Sequence, residues 1–186
     1  MTVLNTYIPG LLILEPRILK DSRGYFYESY NQRLLERHNI KNEFVQDNQS
    51  KSVFGVLRGL HYQIDPFAQA KLVRVLQGEV FDVAVDLRKG SPTYLKWEGE
   101  ILSAENRKQM FIPRGFAHGF IVLSETAEFF YKCDNFYSRE HDAGIRYDDP
   151  ELNINWQLAK DKVILSEKDS KLPYLRDAVK NFVFTT

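Results

Sequence analysis

A single cysteine, Cys133, among 186 residues excludes an intrachain disulfide framework, so the fold must be held by a buried core. Charge of one sign is also lacking. Lysine and arginine total 25 against 25 aspartate and glutamate, so no global field recruits nucleic acid or an acidic membrane, and any anion site must be local. No apolar run approaches the length of a membrane span, and Pro9 to Leu14 falls far short. The N-terminus carries no basic region ahead of an apolar core, and no secretory signal is read from it. The expectation is a soluble, cytoplasmic protein with neither nucleic acid nor membrane as a partner. There is no internal repeat and no low-complexity linker. At this length the chain is expected to be one domain, 1–186, with an N-terminal arm over about 1–50, a core over about 51–136 and a C-terminal segment over about 137–186.

What is present is a period of two. Leu72 to Leu76 and Val80 to Leu87 alternate around Gln77-Gly78, which reads as a hairpin; in the second run Phe81, Val83, Val85 and Leu87 face one way and Asp82, Ala84 and Asp86 the other. Trp97 to Leu102, Gln109 to Ile112, Ala117 to Leu123 and Ala127 to Cys133 continue the series. Short strands at this spacing, punctuated by Gly, Pro, Ser and Asn, predict an all-β sandwich or barrel. Upstream, Gly10 to Leu19 reads as an edge or irregular strand because of Pro16. Asp21 to Gly24 reads as a turn before an aromatic strand Tyr25 to Tyr30, and Asn31 as the cap of a short helix. Gln46 and Asn48 share a face if that stretch is extended. A turn is expected at Asp148 to Pro150 and a short helix after Pro173.

The stretch Val56 to Gln63, V-L-R-G-L-H-Y-Q, sets Arg58 and His61 among buried-strand residues, with Lys71 one loop later. Imidazole exchanges protons near neutral pH, its ordinary pKa being about 6.5, and guanidinium is a fixed forked cation suited to phosphate. The competing reading is a hydrogen-bonded core histidine and a paired structural arginine. In an unbroken strand Arg58 and His61 would face opposite sides, which calls for a bulge at Gly59 or for Arg58 to reach round from the rim.

Phe111 to Phe120 contains P-x-G-x-x-H, Pro113, Gly115 and His118, a turn that delivers a histidine onto a strand. It resembles the second motif of the cupins, which are jelly-roll, double-stranded β-helix barrels. Metal-binding cupins carry H-x-H in the first motif, where this chain reads His61-Tyr62-Gln63. Two histidines without a third strong ligand make a poor metal site, so no metal is expected.

Taken together, R-G-L-H-Y-Q (58–63), K-L-V-R-V (71–75), G-E-V-F-D-V-A-V-D-L-R (78–88), I-P-R-G-F-A-H-G-F (112–120) and E-F-F-Y-K (128–132) resemble the dTDP-4-dehydrorhamnose 3,5-epimerase family. So do F-V-Q-D-N-Q-S (44–50) and D-S-R-G-Y-F-Y-E (21–28). The resemblance implies a homodimer of cupin barrels with shared active-site residues, no metal or organic cofactor, and inversion of both centres flanking the ketone of a dTDP-4-keto-6-deoxy sugar. It implies His61 as the base, Asp169 orienting it, Lys71 facing the oxyanion on C4, and Tyr131 as the acid. Those residue types suit the steps: a base on one face, an electrophile for the enolate oxygen and a proton donor on the other face. For substrate binding it implies Arg23, Phe26, Glu28, Gln46, Asn48, Arg58, His118, Tyr137, Asp142 and Lys168, with Arg58 on the diphosphate, Phe26 and Tyr137 at thymine, and Arg23, Glu28, Gln46 and Asn48 on the nucleotide, some of these four reached from the neighbouring subunit. The plainer alternatives are that Phe26 and Tyr137 are core, that Glu28 and Arg23 form a surface ion pair, and that Ser166 to Ser170 is a solvated turn. Two rival functions stay open at this level. One is a single-site epimerase or a 3,4-ketoisomerase on the same fold, the other a non-catalytic nucleotide-sugar binder.

Overall fold

The computed structural model describes residues 1–185. Its strands in chain order are β1 (Thr2–Asn5), β2 (Leu12–Glu15), β3 (Leu19–Asp21) and β4 (Gly24–Phe26), followed by helix α1 (Gln32–Glu36). Then come β5 (Gln46–Val53), β6 (Leu57–Gln63), β7 (Lys71–Gln77), β8 (Glu79–Asp86), β9 (Trp97–Ser103), β10 (Gln109–Ile112), β11 (Phe116–Val122), β12 (Thr126–Cys133) and β13 (Asp142–Gly144), with helix α2 (Glu167–Ser170) near the end. Two antiparallel sheets face each other: β1-β2-β10-β7-β12-β5, and β13-β6-β11-β8-β9. This is an all-β jelly-roll barrel: β1-β2 and β8-β9 pair within one sheet, but from β5 to β8 and from β9 to β13 each strand crosses to the sheet opposite its chain neighbour. Among the described residues no helix is long and apolar enough to cross a membrane.

The core is layered. Ile13, Val73, Met110 and Phe129 from the first sheet meet Val80, Ala84, Leu102 and Phe120 from the second inside the barrel. On the outer face of the second sheet, Phe81, Val83, Val85 and Ile121 are covered by Ile145, Leu152, Trp156, Leu175 and Phe182 of the C-terminal segment. On the outer face of the first, Leu14, Leu72 and Phe111 pack on Leu35 of α1 and on Ile40. Burial on both faces explains why β8 is interior from Val80 through Asp86.

Several expectations are corrected. The turn at Gln77-Gly78 is a corner, not a hairpin: β7 and β8 belong to different sheets, and β8 pairs with β9 and β11. Gly78 is required there by its φ of +76° and because a Cβ would lie 2.0 Å from the Thr126 carbonyl oxygen. β2 is interior, between β1 and β10, and Pro16 falls just past its end, where the missing N–H costs no ladder bond. Within residues 1–50, β1 and β2 are strands of the six-stranded sheet, which β5 also joins, and the β3-β4 hairpin lies outside both large sheets. The strand expected over Tyr25 to Tyr30 stops at Phe26. Past Pro173 there is a turn, not a helix, because the Leu175 N–H is drawn to Asp149 Oδ2 (2.7 Å). The cap at Asn31 is as expected, its side chain accepting from the Leu34 N–H at 3.2 Å.

Candidate active site

β6 is irregular where the chemistry begins. His61 pairs with His118 of β11 and Arg58 with Phe120, so three steps along β6 match two along β11, which is a bulge at Gly59-Leu60. Gly59, at φ +128°, makes this possible, since a Cβ would sit 2.6 Å from Gly119 Cα. Leu57, Leu60 and Tyr62 therefore all enter the outer core, while Arg58 and His61 share the inner face. The bulge, not a reach round the rim, resolves the parity problem. Arg58 Nε donates to Ser52 Oγ of β5 across the barrel mouth at 3.1 Å.

His61 Nε2 meets Asp169 Oδ1 at 2.5 Å, leaving Nδ1 as the ring nitrogen with no hydrogen-bond partner among the described residues. The run Ser166 to Ser170 is a helical turn rather than a solvated loop, and Asp169 is only 5% exposed. Burial raises the Asp169 carboxyl, but the His61 hydrogen bond and charge, the Ser166 hydroxyl and Lys168 outweigh it and hold the group below its ordinary value.

The opposite sheet supplies Lys71 and Tyr131. Tyr131 lies on β12 facing inward beside Phe129, with the Lys71 ammonium 5.7 Å from its ring centroid. Burial is the main cause that pushes the Tyr131 phenol up to about 12. Lys71 is lowered by burial, against the pull of Cys133, Asp82 and Asp142. His118 is not free: its Nε2 faces both oxygens of Asp82, at 3.0 and 3.1 Å, and its ring stacks near Phe129. Burial pushes His118 down and the Asp82 carboxyl up, so both directions favour an uncharged pair.

The rim is a second network. Tyr137 donates its hydroxyl to Asp142 Oδ2 (3.0 Å) and its N–H to Gln46 Oε1 (3.1 Å), and Lys168 Nζ pairs with the same Asp142 oxygen. Gln46 Nε2 donates to Asn48 Oδ1 (3.1 Å), and Asn48 Nδ2 to Cys133 Sγ (3.7 Å). Gln46 and Asn48 thus line the barrel of their own chain, with Asn48 opposite Tyr131 in register. Arg23, Phe26 and Glu28 are not brought to this pocket. They sit on and just after the β3-β4 hairpin, Arg23 paired with Asp21 (2.6 Å) and Glu28 bonded to Asn31, so the alternative of an Arg23 to Glu28 ion pair does not hold. Phe26 is 66% and Tyr137 57% exposed, so neither is core.

Three participants escaped the sequence reading: Asp82, Ser166 and Cys133. Asp82 carried a signal, a carboxylate centred in the otherwise apolar strand Val80 to Val85. Ser166 carried the Ser-x-x-Asp spacing of a helix cap, and Cys133 carried none. The described residues bring no group of three His, Cys, Asp or Glu together in a way that could hold a metal ion.

A jelly-roll barrel whose inward histidine is backed by a buried carboxylate, with lysine and tyrosine facing it from the other sheet, is a cupin equipped for proton transfer. The family model described as dTDP-4-dehydrorhamnose 3,5-epimerase matches residues 5–177, and the chain belongs to that family. It is 58% identical over 174 residues to the dTDP-4-dehydrorhamnose 3,5-epimerase of Pseudomonas aeruginosa, covering 92% of this chain and 94% of that one. The crystal structure of the Elizabethkingia anophelis enzyme of that name superposes with a TM-score of 0.92 at 52% identity, covering 95% and 97% of the two chains. The Legionella pneumophila dTDP-6-deoxy-D-glucose-3,5-epimerase, solved in complex with dTDP-4-keto-L-rhamnose, gives 0.91 at 52% identity, covering 95% and 93%.

Proposed function

We propose that the chain is a cofactor-independent isomerase that inverts C3 and C5 of dTDP-4-dehydro-6-deoxy-D-glucose to give dTDP-4-dehydro-L-rhamnose, on the path to dTDP-L-rhamnose. The observation that carries this reading is the placement of His61, backed by Asp169, and of Tyr131 on facing sheets with both side chains inward. A sugar ring between them presents opposite faces to a base and to an acid. His61 removes the proton α to the C4 ketone, and the electron pair moves into an enolate whose oxygen is met by the Lys71 ammonium. Tyr131 returns a proton to the opposite face, and before the second inversion His61 gives up its proton to solvent and Tyr131 is recharged from it. Asp169 holds the imidazole and favours the imidazolium as it forms.

Arg58 takes the diphosphate, and Gln46, Asn48, Tyr137, Asp142, Lys168 and His118 surround nucleotide and sugar. Arg23, Phe26 and Glu28 stand on a hairpin away from their own pocket, with Phe26 largely exposed. That placement supports a homodimer in which each hairpin completes the partner's nucleotide site. A nucleoside-diphosphate sugar as substrate supports a cytoplasmic site of action.

The test is incubation with dTDP-4-keto-6-deoxyglucose in heavy water, counting deuterons by mass spectrometry. Two, at C3 and C5, are expected. One would make the chain a single-site epimerase, a hydrogen shift between C3 and C4 a 3,4-ketoisomerase, and none a binder.

A further inference from the structure

We propose that Ser166 is a positioning residue for the reaction: its hydroxyl locks the Asp169 carboxylate in the one orientation that holds His61 as a base. The inference rests on the function just proposed. A carboxylate has two oxygens and turns easily about its last torsion, whose energy wells are broad. Here both oxygens are engaged, Oδ1 by His61 Nε2 at 2.5 Å and Oδ2 by Ser166 Oγ at 2.8 Å. The hydroxyl has its own direction set. Its oxygen accepts the Asp169 backbone N–H at 3.0 Å, which leaves the O–H to point at the carboxylate. One side chain therefore caps α2 and clamps the residue that α2 presents.

The clamp is anchored to the strand that carries the base. Two residues before Ser166, Ile164 donates its N–H to the Gly55 carbonyl (2.8 Å) and accepts from the Leu57 N–H (2.9 Å), making a parallel bridge at the start of β6. Four residues along the same strand stands His61. Both halves of the pair are thus referenced to β6, one through its own backbone and the other through Ile164, Ser166 and Asp169. Rotation of the carboxylate away from Nε2 would have to break the Ser166 contact, and motion of α2 as a body would have to break the bridge at Ile164.

A plain helix cap would contribute to stability and nothing more, and the two roles separate in kinetics. The full-length protein is compared with Ser166→Ala, Ser166→Thr and Ser166→Cys in thermal midpoint, kcat, KM and deuterium wash-in from heavy water. Ser166→Ala should lower kcat and wash-in together by roughly tenfold to a hundredfold, the scale of one hydrogen bond to a charged group, with KM unchanged. Threonine keeps the hydroxyl and should restore both, while cysteine, close in size but a weak donor, should fall between. A Ser166→Ala enzyme that loses thermal midpoint but keeps wild-type kcat per folded molecule overturns the proposal, as does a threonine variant as slow as the alanine one. If the alanine variant does not fold, the ratio of the threonine to the cysteine enzyme decides, equality refuting the clamp. Absence of wash-in by the wild type would instead overturn the proposed function, so the two failures are told apart.

Discussion

Replacing Tyr131 by Phe removes one oxygen and leaves the ring, and it should separate two events that the wild-type enzyme couples. With burial pushing the phenol up to about 12, only about one molecule in a hundred thousand is ionised at pH 7, so Tyr131 stands as a loaded acid. The phenyl ring keeps its contact with Phe129 and its place under the Lys71 ammonium, so the barrel should lose no more than about 1 kcal/mol of stability. His61, Asp169 and Lys71 are untouched, and enolate formation can continue. Net inversion should therefore fall by the contribution of a general acid, about two to four orders of magnitude. Exchange of the α-protons with solvent should fall much less, because His61 returns a deuteron to the face from which it took the proton. One time course in heavy water, following deuterium content by mass and stereochemistry by NMR, measures both. Recovered substrate enriched in deuterium with little inverted product is the expected result. His61→Asn is the counterpart and should abolish both exchange and inversion. If Tyr131→Phe loses exchange and inversion by the same factor, or His61→Asn still exchanges, the assignment of base and acid is wrong.

Asp169→Asn should leave a weakened base and intermediate turnover. Its carboxyl is held below the ordinary 3.8, so its stabilising contribution is complete above that pH and is lost as pH falls through the lower folded value; the stability gap between wild type and variant, followed by denaturant titration, should close in that window. Gly59→Ala forces a Cβ to within 2.6 Å of Gly119 Cα at a φ of +128°, and should cost on the order of 3 kcal/mol in chemical denaturation; a loss below about 0.5 kcal/mol would refute the close-approach argument. Because no three metal-ligating side chains converge among the described residues, exhaustive chelation should leave turnover unchanged, and a loss restored by one added metal would refute the cofactor-free mechanism.

Much of this is legible in the sequence alone. Period-two alternation in Phe81 to Leu87 gave the strand and its two faces, the Asn31 cap and the turn at Asp21 to Gly24 followed from local chemistry, and P-x-G-x-x-H marked the barrel type. These are short-range signals, set by residues within one turn or one pleat of each other. The motifs in order along the chain pointed to the family and, through it, to His61, Lys71, Tyr131 and Asp169.

What the sequence determined by itself was the list of parts and the local conformations, together with the demand for a bulge somewhere between Arg58 and His61. Only the tertiary structure decided where the chain turns a corner. Gln77-Gly78 looks like a hairpin in one dimension, and whether two alternating strands pair or part company depends on which sheet has room to bury both faces of β8. In the same way Asp169 reads as a solvated charge until Ile164 is bridged to β6 and the helical turn is pressed over His61. Asp82 becomes half of a buried pair only when His118 arrives from a strand 36 residues further on. Contacts at such separations leave no periodic trace, because nothing in the spacing of residues along the chain records which distant group will be on hand to satisfy a buried polar group.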